Sequence, residues 1–243
     1  MKASGKNCDV KIYPNVETLN EAAAALIVEI ASEALRANDR FSIALAGGST
    51  PESLYKLLAS DEFKNKIDWT KTLVFFGDER CVAPDDAESN YRMANEALLS
   101  RVSVPAENVF RLRGEIEPEK AAAEYEAIIK KTLGDDAPLD LILLGMGDDG
   151  HTASLFPQTA ALEETKKLVA ANFVEKLNAN RLTLTFSAIN AAKNVLFLAT
   201  GAKKASMIKE VLSVETIDLP SSLIKPENGS CRWFLDEEAA SLI

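Results

Sequence analysis

Short apolar runs alternate along this chain with longer amphipathic stretches, and that alternation is the strongest limit on what it can fold into. Phe41-Ser-Ile-Ala-Leu-Ala46, Thr72-Leu-Val-Phe-Phe76 and the run Leu139 to Leu144 are apolar enough to be buried on both faces. Such strands belong to a parallel sheet. Between them the period changes to that of helices: an alanine-rich stretch from Val16 to Ala37, then Pro51 to Leu58, Asn90 to Leu99, Pro118 to Thr132 and Lys203 to Leu212. Ser49 and Thr50 are placed to cap the second of these, with Pro51 at its first helical position. Further strands are expected at Val10 to Tyr13, Leu168 to Ala171, Arg181 to Thr185, Val195 to Ala199 and Cys231 to Leu235. Strands alternating with helices predict an α/β fold with a mostly parallel sheet covered on both faces. No repeat, low-complexity segment or Ser/Gly linker interrupts the 243 residues, so one domain over residues 1–243 is expected.

Charge narrows the partners. With 27 Lys and Arg against 37 Asp and Glu, the net charge is -10. General nucleic-acid or anionic-membrane binding wants a basic field, so neither is expected. An anionic small molecule would need a local cluster of Arg and Lys set against the sign of the whole protein. Cys8, Cys81 and Cys231 are odd in number, widely spaced and without a C-x-x-C pair. They point to a reducing compartment and to neither a disulfide framework nor a zinc site. The stretch Met1 to Asp9 lacks the apolar core of a secretory signal, and no run of apolar residues is long enough to span a bilayer. A cytoplasmic protein, monomeric or weakly dimeric, is the expectation.

His151 is the only histidine, and it stands in the turn after the most apolar strand: Gly145-Met-Gly-Asp-Asp-Gly-His-Thr-Ala-Ser-Leu-Phe-Pro157. Ligands bind at the carboxyl ends of strands in open α/β sheets. Histidine titrates near neutral pH, and Asp149, two residues earlier, is placed to fix its tautomer. Neither a cysteine nor a second histidine lies near, so no metal site is expected there. Ala46-Gly-Gly-Ser-Thr-Pro51 has the form of a phosphate cradle, in which Gly47 and Gly48 let backbone approach an anion and Ser49 and Thr50 add hydroxyls ahead of a helix N-terminus. Gly77-Asp-Glu-Arg80 follows another buried strand, so Asp78 and Arg80 should share an edge with Gly47 and His151. Arg181 opens its strand, and Lys203 and Lys204 stand at a helix start. That is a disfavoured place for cations unless they face an anion.

Taken in order, Gly47-Gly-Ser-Thr-Pro51, Gly77-Asp-Glu-Arg80 with Ser89-Asn-Tyr91, the His151 turn, Arg181-Leu-Thr-Leu-Thr185, Gly201-Ala-Lys-Lys-Ala205 and Pro220-Ser-Ser-Leu223 cover nearly the whole chain. This series resembles the 6-phosphogluconolactonase branch of the family shared with glucosamine-6-phosphate deaminases. The resemblance implies a Rossmann-like sheet and hydrolysis of 6-phospho-D-glucono-1,5-lactone in the pentose phosphate pathway, with no metal or organic cofactor. It also implies roles. Substrate would be bound by Gly47, Gly48, Ser49, Thr50, Asp78, Arg181 and Lys204, with the phosphate on the Gly48 loop, Arg181 and Lys204. Arg80 would reach the catalytic centre, and His151 would be the general base assisted by Asp149. The chain departs from the family in lacking a proline shortly before Arg181. It departs from the deaminases in carrying Phe156 where they have a glutamate five residues after the histidine, and Arg80 where they usually have an aromatic.

Overall fold

A computed structural model describes residues 8–135, 138–213, 219–226 and 228–243. The N-terminal reading made on Met1 to Lys6 and Asn7 therefore lies outside the described residues. Strand β1 (Cys8–Tyr13) leads into helix α1 (Val16–Asn38), which starts at a reciprocal cap: Asn15 accepts from Thr18 N–H, and the Thr18 hydroxyl lies 3.4 Å from Asn15 N. The helix buries Leu19, Ala23, Ile27, Ile30 and Ala34, a stripe at helical spacing. Strand β2 (Phe41–Leu45), helix α2 (Ser49–Leu58) and strand β3 (Thr72–Phe76) follow. After the short β4 (Asp78–Arg80) come α3 (Asn90–Ala97), α4 (Pro118–Leu133) and β5 (Leu141–Leu144). The chain ends with β6 (Val169–Val174), β7 (Ala179–Leu184), α5 (Phe186–Asn190), β8 (Asn194–Ala199), α6 (Ala205–Leu212) and β9 (Ser230–Asp236).

Six strands form a parallel sheet in the order β1-β9-β8-β5-β2-β3. The connection after β2 runs outward to β3, whereas the chain after β5 turns the other way, to β8. The crevice between β2 and β5 is therefore the switch point at which an open sheet offers a binding site. The sequence-based expectation of a mostly parallel α/β sheet holds, with one correction. The strands at Leu168 to Ala171 and Arg181 to Thr185 are not in it. They become β6 and β7 of a separate antiparallel sheet, β4-β7-β6, in which Asp78 pairs with Thr183 and Arg80 with Arg181. A three-residue strand beginning at Asp78 is too short and too polar to carry an apolar pattern, which is why the sequence reads as a loop there.

The cysteines need a second correction. Cys8 and Cys231 stand opposite each other in the β1–β9 register and are joined as a disulfide, leaving Cys81 as the free thiol among the described residues. Spacing along the chain gives no hint of this, because the topology brings the first strand beside the last. A third concerns α2: its cap is Gly48, at φ 103°, with Ser49 first in the helix and Pro51 third, and no side chain caps it. No helix among the described residues is long and apolar enough to cross a membrane.

Two buried tyrosines fix the strand ends that lead to the crevice. The Tyr55 hydroxyl, from α2, accepts from Ala46 N–H at 2.8 Å and donates to Ala46 C=O at 2.9 Å. Tyr125, from α4, does the same at Phe76, accepting at 2.7 Å and donating at 3.1 Å, on the outer side of the edge strand β3. Each hydroxyl satisfies a backbone pair that water cannot reach. Replacing Tyr55 or Tyr125 by Phe should each cost about 1–3 kcal/mol, since the buried backbone groups lose their partner. Urea denaturation is expected to show a lower midpoint with an unchanged m value; a midpoint equal to wild type would contradict the pinning role.

Candidate active site

A cavity of about 410 Å³ opens at the switch point. Its walls are Ala46, Gly47 and Gly48 after β2, Gly77, Asp78 and Arg80, the strand end and turn from Leu143 to Gly147, then His151, Ala153, Ser154, Phe156, Arg181 and Lys204. The structure thus brings together most of the residues singled out in the sequence. Asp149 stands directly behind, bonded to His151. Ser49 and Thr50 are not among the lining residues; Thr50 spends its hydroxyl on Thr200, at 2.8 Å.

The His151 turn is built to hold an imidazole. Gly147 N–H donates to His151 C=O at 2.9 Å, and the Thr152 hydroxyl donates to Gly145 C=O at 2.8 Å. Ser221, from a 3₁₀ turn at Pro220–Leu223, donates both its amide and its hydroxyl to Gly150 C=O. Any side chain at Gly147 would collide with the His151 ring, so glycine is required by close approach. Phe156 stacks on that ring with centroids 4.0 Å apart. Asp149 Oδ1 lies 2.5 Å from His151 Nδ1 and also accepts from His151 N–H at 3.2 Å. An acceptor on that side makes Nδ1 the protonated nitrogen and leaves Nε2 bare. Among the described residues Nε2 has no protein hydrogen-bond partner. Burial pushes the imidazole down from the usual 6.5 to about 4; Asp78 and Asp148 pull against this, while Lys204 and Arg181 add to it.

Asp78 and Glu79 point to opposite sides of β4. Asp78, on the cavity wall, accepts from the Ser154 hydroxyl at 2.7 Å and from Asn90 Nδ2 at 3.1 Å. Glu79 turns inward and receives the amides of Arg80, Asn90 and Tyr91 and the Ser89 hydroxyl. It ties β4 to the start of α3, and burial raises its pKa. The marker Ser89-Asn-Tyr91 is therefore a clamp for the Asp-Glu-Arg strand, and Asn90 also lines the cavity beside Gly47.

The basic residues fall into two kinds. Arg80 and Arg181 are opposite each other in the β4–β7 pairing. Like charges placed so are normally destabilising. Neither makes an ion pair with a carboxylate among the described residues: Arg80 Nη1 donates to Glu88 C=O at 2.5 Å and Arg181 Nη1 to Asn180 C=O at 3.2 Å. Lys204, in contrast, is ion-paired with Asp148, which holds that carboxyl below its usual range. The anion that a lysine at this helix start faces is, in the ligand-free chain, the protein's own.

Lys176 is the residue that sequence reasoning missed. It comes from the turn Glu175–Leu177 between β6 and β7, lines the cavity and forms an ion pair with Asp149 Oδ2. Its ammonium also lies 4.8 Å from the Phe156 ring centre. A lone lysine in a hairpin carries no sequence signal, since most are solvated surface charges. Among the described residues no group of three or more His, Cys, Asp or Glu side chains is placed to hold a metal ion.

Comparison with known proteins gives this arrangement its relatives. The family model described as glucosamine-6-phosphate isomerases/6-phosphogluconolactonase matches residues 14–233. A protein of Nostoc sp. named 6-phosphogluconolactonase is 40% identical over 96% of this chain and 97% of its own. A human protein of that name is 37% identical over 96% of this chain and 93% of its own. The solved structure of 6-phosphogluconolactonase from Trypanosoma cruzi superposes with a TM-score of 0.85 at 32% identity, covering 96% of each chain. With its parallel sheet, its switch-point cavity and this match along nearly its whole length, the chain belongs to the glucosamine-6-phosphate isomerase/6-phosphogluconolactonase family.

Proposed function

We propose that this chain hydrolyses 6-phospho-D-glucono-1,5-lactone to 6-phosphogluconate, the lactone-opening step of the oxidative pentose phosphate pathway. The observation that carries the reading is the pairing of Arg80 with Arg181 on the cavity wall. Two guanidinium groups without a carboxylate partner among the described residues, in a protein of net charge -10, are stabilised when an anion sits between or beside them. The cavity lies within the span of roughly 300–1,000 Å³ usual for small-molecule sites. Its other wall presents an imidazole with a bare nitrogen.

Chemistry follows from that placement. Nε2 of neutral His151 takes a proton from water as the water oxygen attacks C1 of the lactone. The tetrahedral oxyanion is offset by Arg80 or by backbone N–H groups of the glycine turn. Collapse breaks the bond from C1 to the ring oxygen, which receives the proton back from His151 and leaves as a hydroxyl. Asp149 holds the ring throughout and stabilises the imidazolium while it exists. The phosphate is held by Arg181 and Lys204 with Gly47 and Gly48, beside the start of α2, whose first amides have no helical partners. To reach it, Lys204 exchanges Asp148 for the phosphate. Phe156 stands where the deaminases carry a glutamate and here stacks on the base, so the acid that their chemistry would need is not supplied at that position.

Replacing His151 by Asn should lower kcat about 10²–10⁴-fold with KM nearly unchanged. A coupled lactonase assay, corrected for spontaneous hydrolysis and run with glucosamine 6-phosphate as control substrate, decides this: kcat equal to wild type would sink the assignment. Arg181→Ala and Lys204→Ala should instead raise KM, each by about 10–100-fold, the worth of a hydrogen bond to a charged group. A defect confined to kcat would contradict the phosphate role. The active form of His151 is neutral, and it becomes protonated only near pH 4. The acid limb of kcat/KM should therefore lie well below 6.5, with activity level from neutral pH down to about pH 5. An acid limb at 6.5 to 7 would show that the group titrating is not this buried imidazole.

A further inference from the structure

We propose that Lys176 is a positioning residue of this site, fixing Asp149 on the ring N–H of His151 and balancing the charge that Asp149 places beside the imidazole. The inference rests on the reading of His151 as the base.

Asp149 has both oxygens committed. Oδ1 serves the ring and the backbone amide of His151, and Oδ2 serves Lys176. A carboxylate beside an imidazole favours the imidazolium and so draws the titration of the ring upward. An ammonium on the far oxygen opposes that effect and also stops the carboxylate rotating away. Lys176 is anchored for this at a second point, above the Phe156 ring that itself stacks on His151. The lysine, the phenyl ring, the imidazole and the carboxylate thus close a circuit of four contacts.

The other charges near the imidazole do not replace it. Asp78 and Arg80 come from β4 and Arg181 from β7; Asp148 and Asp149 belong to the His151 turn. Lys204 arrives from the turn before α6, but it is paired with Asp148 and, in the proposed reaction, passes to the phosphate. Lys176 alone among the described cations bonds Asp149. Its side chain is 52% exposed on a hairpin, so its replacement leaves the core intact.

Because His151 is the chain's only histidine, its imidazole resonances can be followed by NMR without assignment. Lys176→Met is expected to move the His151 titration upward by roughly half a pH unit, with the acid limb of kcat/KM moving by the same amount and KM unchanged. Lys176→Arg, which keeps the charge and the reach, should restore both. An unmoved His151 titration in Lys176→Met would overturn the proposal, as would Lys176→Arg behaving like Lys176→Met. A raised KM with an unmoved titration would overturn it too, by placing Lys176 on the substrate. The titration is read on ligand-free protein, so it stands or falls separately from lactone hydrolysis: a wild-type protein without turnover would end the functional reading and leave this result to be judged alone. Thermal melting of both variants separates these outcomes from loss of fold.

Discussion

The backbone of Gly77 makes two hydrogen bonds on which the site depends. Its N–H donates to Leu45 C=O at 2.9 Å, the last contact of the parallel sheet. Its C=O accepts from Leu184 N–H at 2.8 Å, the first contact of the antiparallel one. The chain thus leaves one sheet and enters another within a single residue. The placing of the charged residues of β4 and β7 follows: β4 is turned so that Asp78 and Arg80 face the crevice, and β7 is drawn alongside so that Arg181 stands opposite Arg80. The large sheet supplies the imidazole and the glycine loops, and the small sheet supplies the guanidinium groups.

Electrostatics in this cavity is local and works against the protein's overall sign. Each lysine at the mouth is matched to an aspartate of the His151 turn, Lys204 to Asp148 and Lys176 to Asp149. The two arginines are left without such partners. A basic cavity that neutralised all its own cations would have nothing to offer an anion, and one that neutralised none would be costly to fold. Two matched lysines beside two unmatched arginines lie between these limits.

Much of this was legible in the sequence because it rests on local rules. The apolar runs fixed the central strands, glycines marked the turns after β2 and β5, and the solitary His151 with Asp149 two residues earlier is a short-range arrangement. Arg80, Arg181 and Lys204 were found through motif order, and all three line the cavity. What stayed hidden depends on contacts between distant parts of the chain. The antiparallel pairing of β4 with β7 joins residues about a hundred positions apart, and Lys176 meets Asp149 only because that pairing folds a hairpin over the turn. The capping of α2 failed for a different reason: Ser49 and Thr50 are good cap residues by type, but a positive φ at Gly48 lets the helix begin one residue earlier than hydroxyl capping would.

The position of β1 has a bearing on how the chain is made. Among the described residues its one neighbour in the sheet is β9, and the residues paired at Cys8 and Cys231 are 223 positions apart. During synthesis β1 emerges long before β9, so it waits for its partner while the strands between them are made. Closing a contact of that span is slow, and an unpaired strand edge is exposed meanwhile. Helix α1 touches both β1 and β9, so it can shelter the early strand and then receive the late one. The pairing of longest span along the chain thus lies at the edge of the sheet, away from the crevice at its centre.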